Sequence, residues 1–199
     1  MSSTFPTVTA YLDALPAGVA SHPQCMVKAS LVRNAIESRP LGPDVPLPPP
    51  VRALVDAPPP VSVWVPEVHF NVVMQAVRDA HFDAQEDRFL EWVYTQNRKL
   101  FAAPLYRAMF FLISPERLLV NLQRRWSSLR VGSTLEHEPL GPGLLRLRVT
   151  TPPRLYSMAV ASGLATAVRA AIDAAGGKQA EVTPTLPSDT SVELLVRWR

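Results

Sequence analysis

Three groups of residues in this chain have the types that chemistry needs. His22 and Cys25 could pair as base and thiol nucleophile. Asp83, Glu86 and Asp87 could divide the roles of general acid and general base. His137 stands between Glu136 and Glu138, and His69 and His81 supply further imidazoles. Each group is weakened by its surroundings. The Cys25 stretch is broken by prolines and brings no acid to orient the base. Asp83-Ala84-Gln85-Glu86 has the form of a capping box, and carboxylates in a first helical turn are explained by capping and by the helix dipole. In a strand His137 points opposite to both glutamates, so the three cannot share a metal ion. No GxGxxG, P-loop or HExxH spacing occurs. No catalytic residue and no metal ligand is therefore assigned, and a non-enzymatic protein is expected.

Cys25 is the only cysteine among 199 residues, which excludes an internal disulfide and a thiolate-only metal cage. A cytoplasmic location fits. The N-terminal residues lack a basic segment followed by an apolar run, and no stretch approaches the ~20 apolar residues of a membrane span. A net charge of +3, with charged residues at 19% and scattered, describes a solvated surface, so no nucleic-acid partner is expected.

The elements that would position a site change character along the chain. Most of the 21 prolines lie before residue 67, including Pro48-Pro49-Pro50 and Pro58-Pro59-Pro60. That third is expected to be mostly irregular, with a helix over 26–38 and one further turn over 51–55. The triplets read as rigid spacers or, alternatively, as a polyproline ligand for a partner. From Pro66-Glu67 the chain turns helical, with Val68, Val72, Val77 and Ala80 on one stripe. Helices follow from the capping box to Pro104, over 105–113, and from Ser114-Pro115-Glu116 through Trp126. After Gly132 the pattern is strand, strand, helix, strand, strand. Leu145, Leu147 and Val149 alternate with Arg146, Arg148 and Thr150, as do Val192, Leu194, Val196 and Trp198 with Ser191, Glu193 and Arg197. Between the hairpins a long helix runs from Arg154 to Gly176-Gly177. The expected fold is α+β: a proline-rich segment and helices, then a small antiparallel sheet of ββαββ order with a long helix packed on it. The expected division is an extension at 1–24, a wrapping segment at 25–66 and a single-domain core at 67–199.

The run Ser114-Pro115-Glu116-Arg117-Leu118-Leu119, then Leu140-Gly141-Pro142-Gly143 opening a strand, then a helix holding Gly163-Leu164 and ending at Gly176-Gly177, resembles a paralogous myxobacterial family of unknown function. The stretch from Pro60 to Pro66 around Trp64 fits the same family. That family is similar to the superfamily of haem nitric-oxide-binding, 4-vinyl-reductase-like and Bet3 trafficking proteins. The resemblance implies ligand-binding or assembly modules, and it raises haem. The Tyr-x-Ser-x-Arg motif that grips haem propionates has no match here, since Tyr156-Ser157-Met158 departs from it. The expectation is a chain without a cofactor, haem being disfavoured.

Two roles follow. In the first the chain senses an apolar small molecule in a pocket lined by Phe110, Phe111, Trp126, Met158 and Leu164. In the second it is a scaffold that docks a protein partner or forms a homodimer, with Trp92 and Tyr94 as surface anchors.

Overall fold

In the computed structural model, which describes residues 5–103 and 113–199, proline opens helices more often than it breaks them. Pro6 and Pro49 occupy the first turn of α1 (Pro6–Ala14) and α3 (Pro49–Asp56). A first turn has no use for the amide hydrogen that proline lacks, and the fixed φ is already helical. The first third is therefore more regular than its composition suggests. It also carries α2 (Ala29–Ser38), with Val32, Ala35 and Ile36 buried, and two short strands, β1 (Met26–Lys28) and β2 (Trp64–Pro66). The second proline triplet is held from within, because Arg33 donates to the Pro58 carbonyl at 3.0 Å.

Helix α4 (Glu67–Phe82) ends at Asp83, whose φ of 51° lies in the left-handed region. That conformation corrects the capping-box expectation. Asp83 closes α4 and faces Arg88 at 3.9 Å, while the Gln85 carbonyl accepts the first bond of α5 (Glu86–Ala102) from Phe89. Helix α6 (Pro115–Leu129) begins at the proline that follows Ser114. The helix expected over 105–113 lies, but for Ile113, outside the described residues.

Strand β3 (Arg130–Val131) completes a three-stranded antiparallel sheet of order β2-β1-β3. The later part of the chain forms β4 (Thr134–Gly141), β5 (Leu144–Thr150), α7 (Met158–Ala174), β6 (Glu181–Ser188) and β7 (Ser191–Arg197). This is the ββαββ order, with an antiparallel sheet of order β4-β5-β7-β6. Register stacks Leu147 between His137 and Leu194, and Val149 between Leu135 and Val192. The alternation sends Leu145, Leu147, Val149, Val192, Leu194 and Val196 inward. On the other face Arg146 meets Glu138 at 2.8 Å and Arg148 meets Glu193 at 2.6 Å. Both outer strands carry prolines: Pro139 on β4, Pro184 and Pro187 on β6. Helix α7 packs on β6 and β7 through Ala161, Ala165, Val168 and Ile172. Gly143 is required at its turn: its φ is +66°, and a Cβ there would collide with the Trp198 carbonyl oxygen.

The chain divides into two compact units. The first comprises the described part of Met1–Phe89 with Leu129–Gly132 and Pro152–Leu155, and the second comprises Leu90–Ser128, Ser133–Thr151 and Tyr156–Arg199. Among the described residues no helix is long and apolar enough to cross a membrane.

Candidate functional site

Along α4 the residues Glu67, Asn71, Gln75 and Asp79 recur every fourth position and so share one helical face. Glu67, Asn71 and Gln75 are buried, between the equally buried Val68, Val72, Val73, Ala76 and Val77. A polar group removed from water needs a partner, and the first unit supplies them. Glu67 accepts from the Arg130 guanidinium, which also lies 5.9 Å above the Phe70 ring. Asn71 donates to the Tyr11 hydroxyl at 2.8 Å and to the Leu155 carbonyl at 3.3 Å. Tyr11 donates to that same carbonyl at 3.0 Å. The main-chain carbonyl of Gln75 accepts from the Thr7 hydroxyl at 3.2 Å.

Asp79 accepts from the Thr7 amide at 3.0 Å, the Val8 amide at 3.2 Å and the Thr7 hydroxyl at 2.8 Å. These are free amides of the first turn of α1, a helix whose own N-cap residue makes no side-chain bond. A carboxylate on α4 thus caps α1. Burial raises the pKa of Tyr11, opposed by the Asn71 bond, so the phenol is a hydrogen-bond donor at neutral pH and not a base. Burial also raises the thiol of Cys25, whose Sγ donates to the Gly132 carbonyl at 3.4 Å.

The residues singled out from sequence are dispersed. His22 and Cys25 take separate partners, since His22 bonds the Pro153 oxygen through Nε2 at 2.9 Å. Glu86 pairs with Arg78 at 3.5 Å. His137 approaches the Gln123 side chain through Nδ1. Of the expected pocket lining, Phe110 and Phe111 lie outside the described residues. Trp126 is buried and its Nε1 donates to Ser133 at 3.0 Å. Met158 opens α7 with 46% of its surface exposed. Leu164 is half-buried, at the border of the α7 stripe of Ala161, Ala165, Val168 and Ile172. The two expected surface anchors also differ. Trp92 is 8% exposed, too deep to serve as a free anchor. Tyr94 is half-buried, donates to Asp173 at 2.7 Å and lies under Arg169 at 4.5 Å. Its pKa is raised, first by burial and then by that Asp173 bond.

The α4 stripe escaped the sequence reading because Val68, Val72 and Val77 dominated the helix. The signal was present: four polar residues at a strict spacing of four, on a helix apolar on either side.

No protein-family model and no curated protein matches this chain. Solved structures do. The α+β arrangement is the fold of H-NOX, haem nitric-oxide-binding, domains. A Cs H-NOX variant carrying an unnatural amino acid superposes with a TM-score of 0.55 at 9% identity, covering 86% of this chain and 96% of that one. An Fe(II), unliganded H-NOX protein from K. algicida superposes with a TM-score of 0.51 at 12% identity, with the same coverage of both chains.

The expectation of a chain without a cofactor is corrected by these relatives, which are haem-binding proteins and direct attention to haem. The four histidines and the cysteine, the side chains best suited to hold iron, all lie among the described residues. His22 and His81 spend Nε2 on the Pro153 and Pro40 oxygens, and Cys25 is a buried thiol with a raised pKa. His69 is the histidine whose pKa burial lowers, and its backbone bond is of the same kind as those of His22 and His81. It is half-buried, burial lowers its pKa so that the ring stays neutral with a free lone pair, and it bonds the Val19 backbone. A ligating imidazole is ordinarily oriented by such a second bond.

Proposed function

We propose that this chain is a non-enzymatic small-molecule-sensing domain on the H-NOX fold, with haem as the cofactor and His69 as its axial imidazole. The supporting observation is the fold, shared along 96% of a Cs H-NOX chain. When bound, haem iron supplies an open coordination position for a small ligand. The chain's part is to hold His69 neutral, through burial, and oriented, through Val19. The propionates would need partners other than a Tyr-x-Ser-x-Arg motif.

Titration of the purified chain with haem tests this directly. The expected result is a saturable Soret band at one haem per chain, lost or shifted in His69→Ala and restored by added imidazole. No saturable band, together with a native mass equal to that of the chain alone, would refute it.

A second role, docking to a protein partner, is favoured by Val61 and Val63 on the first unit, which are 58% and 40% exposed. Light scattering across a concentration series separates the two, since docking to a second copy predicts a mass that rises with concentration and sensing alone does not.

A further inference from the structure

The segment Pro152–Leu155 belongs to the first unit, although β5 before it and α7 after it belong to the second. Its backbone closes on itself, the Leu155 amide bonding the Pro152 carbonyl at 3.3 Å. Pro153 sits at the second position of this turn and Arg154 at the third, with φ of +62°. Proline followed by a positive φ is the mark of a type II turn, whose third position favours glycine. An arginine there is strained, and such strain persists only where the surroundings enforce it.

The surroundings are side chains of the first unit. The Leu155 carbonyl accepts from Tyr11 and Asn71, and the Leu155 side chain is wholly buried. The Pro153 carbonyl is bound by His22, and Arg154 reaches the Ala14 carbonyl at 3.5 Å. The carbonyls of Pro152, Pro153 and Leu155 are thus all engaged, which is unusual for a loop that could have used water. Two residues beyond the turn, Ser157 caps α7 by accepting from the Val160 amide at 3.4 Å. The cap and the fastened turn share one short stretch of backbone.

We propose that Pro152–Leu155 is a strained latch. Tyr11, Asn71 and His22 hold it closed, and any rearrangement of the polar stripe on α4 that draws Asn71 or Tyr11 away releases the first turn of α7. The strain at Arg154 favours opening and the three fastenings oppose it, so the balance is set by the state of the first unit. This does not depend on haem: whatever ligand the first unit takes, the latch reads the positions of Tyr11 and Asn71.

Amide hydrogen exchange on the full chain tests the latch. Asn71→Ala, which leaves the Tyr11 bond in place, should speed exchange at the bonded amides of Leu155, Val160 and Ala161 at least tenfold while β6 and β7 stay as in the wild type. His22→Ala, which breaks an exposed contact and spares the core, should speed the same residues by a smaller factor and gives the readout if Asn71→Ala does not fold. Arg154→Gly relieves the strain and keeps the Leu155 fastenings, so it should slow exchange there severalfold. Acceleration spread evenly over α7, β6 and β7 would mean general loss of stability and would overturn the latch. Unchanged exchange in Arg154→Gly or His22→Ala would overturn it equally.

Discussion

The first unit buries Glu67, Asn71 and Gln75 among valines and alanines, whereas the second turns the charged side chains of β5 and β7 to the outer face of its sheet. The two interiors are specified differently. An apolar interior tolerates neighbouring arrangements of similar volume. A buried carboxylate or amide accepts only the arrangement that brings its partner, so Glu67, Asn71 and Asp79 fix how α4 meets β3, the 152–155 turn and α1. In the four-stranded sheet the period of two does this work, since a slip by one residue would expose every inward valine and leucine.

The contrast should break most visibly at Arg130. Arg130→Met removes the guanidinium that Glu67 faces in a buried site, and a loss of about 3–5 kcal/mol is expected. Glu67→Gln combined with Arg130→Met should recover most of that loss. Denaturant melts of the single and double variants measure both, and a single variant as stable as wild type would remove the buried pair from the account. A smaller effect is expected at the far end of the same stripe. Asp79→Ala deletes the acceptor for the Thr7 and Val8 amides and should cost about 1 kcal/mol, with faster amide exchange confined to α1. Smallest of all is Glu193→Gln on the outer face of the sheet. Its partners Arg146 and Arg148 are solvated, so the melting temperature at physiological salt should not move measurably. A clear drop there would blur the distinction between the units.

The second unit was the more legible in sequence because its signals are local. Alternation over seven or eight residues, Ser157 before α7 and Gly176-Gly177 after it each act within a few positions. The first unit hides its logic in long-range pairs. Strands of two or three residues leave no alternation to read, and Pro48-Pro49-Pro50 reads as a spacer although Pro49 stands in the first turn of a helix. The spacing of Asp83 to Glu86 fits a cap, yet its left-handed backbone serves the helix before it. The polar stripe on α4 could have been noticed by spacing alone. Its partners could not, since Tyr11 lies 60 residues and Leu155 lies 84 residues from Asn71.

The prolines on the outer strands of the four-stranded sheet bear on how the protein behaves when concentrated. A sheet whose border strands present regular amides invites a neighbouring molecule to add its own strand, and the addition can repeat without end. Pro184 and Pro187 on β6 and Pro139 on β4 leave gaps in that row of donors. Strand-by-strand growth into fibrils is starved at both borders, so crowded solutions of this protein should stay clear while the sheet remains folded.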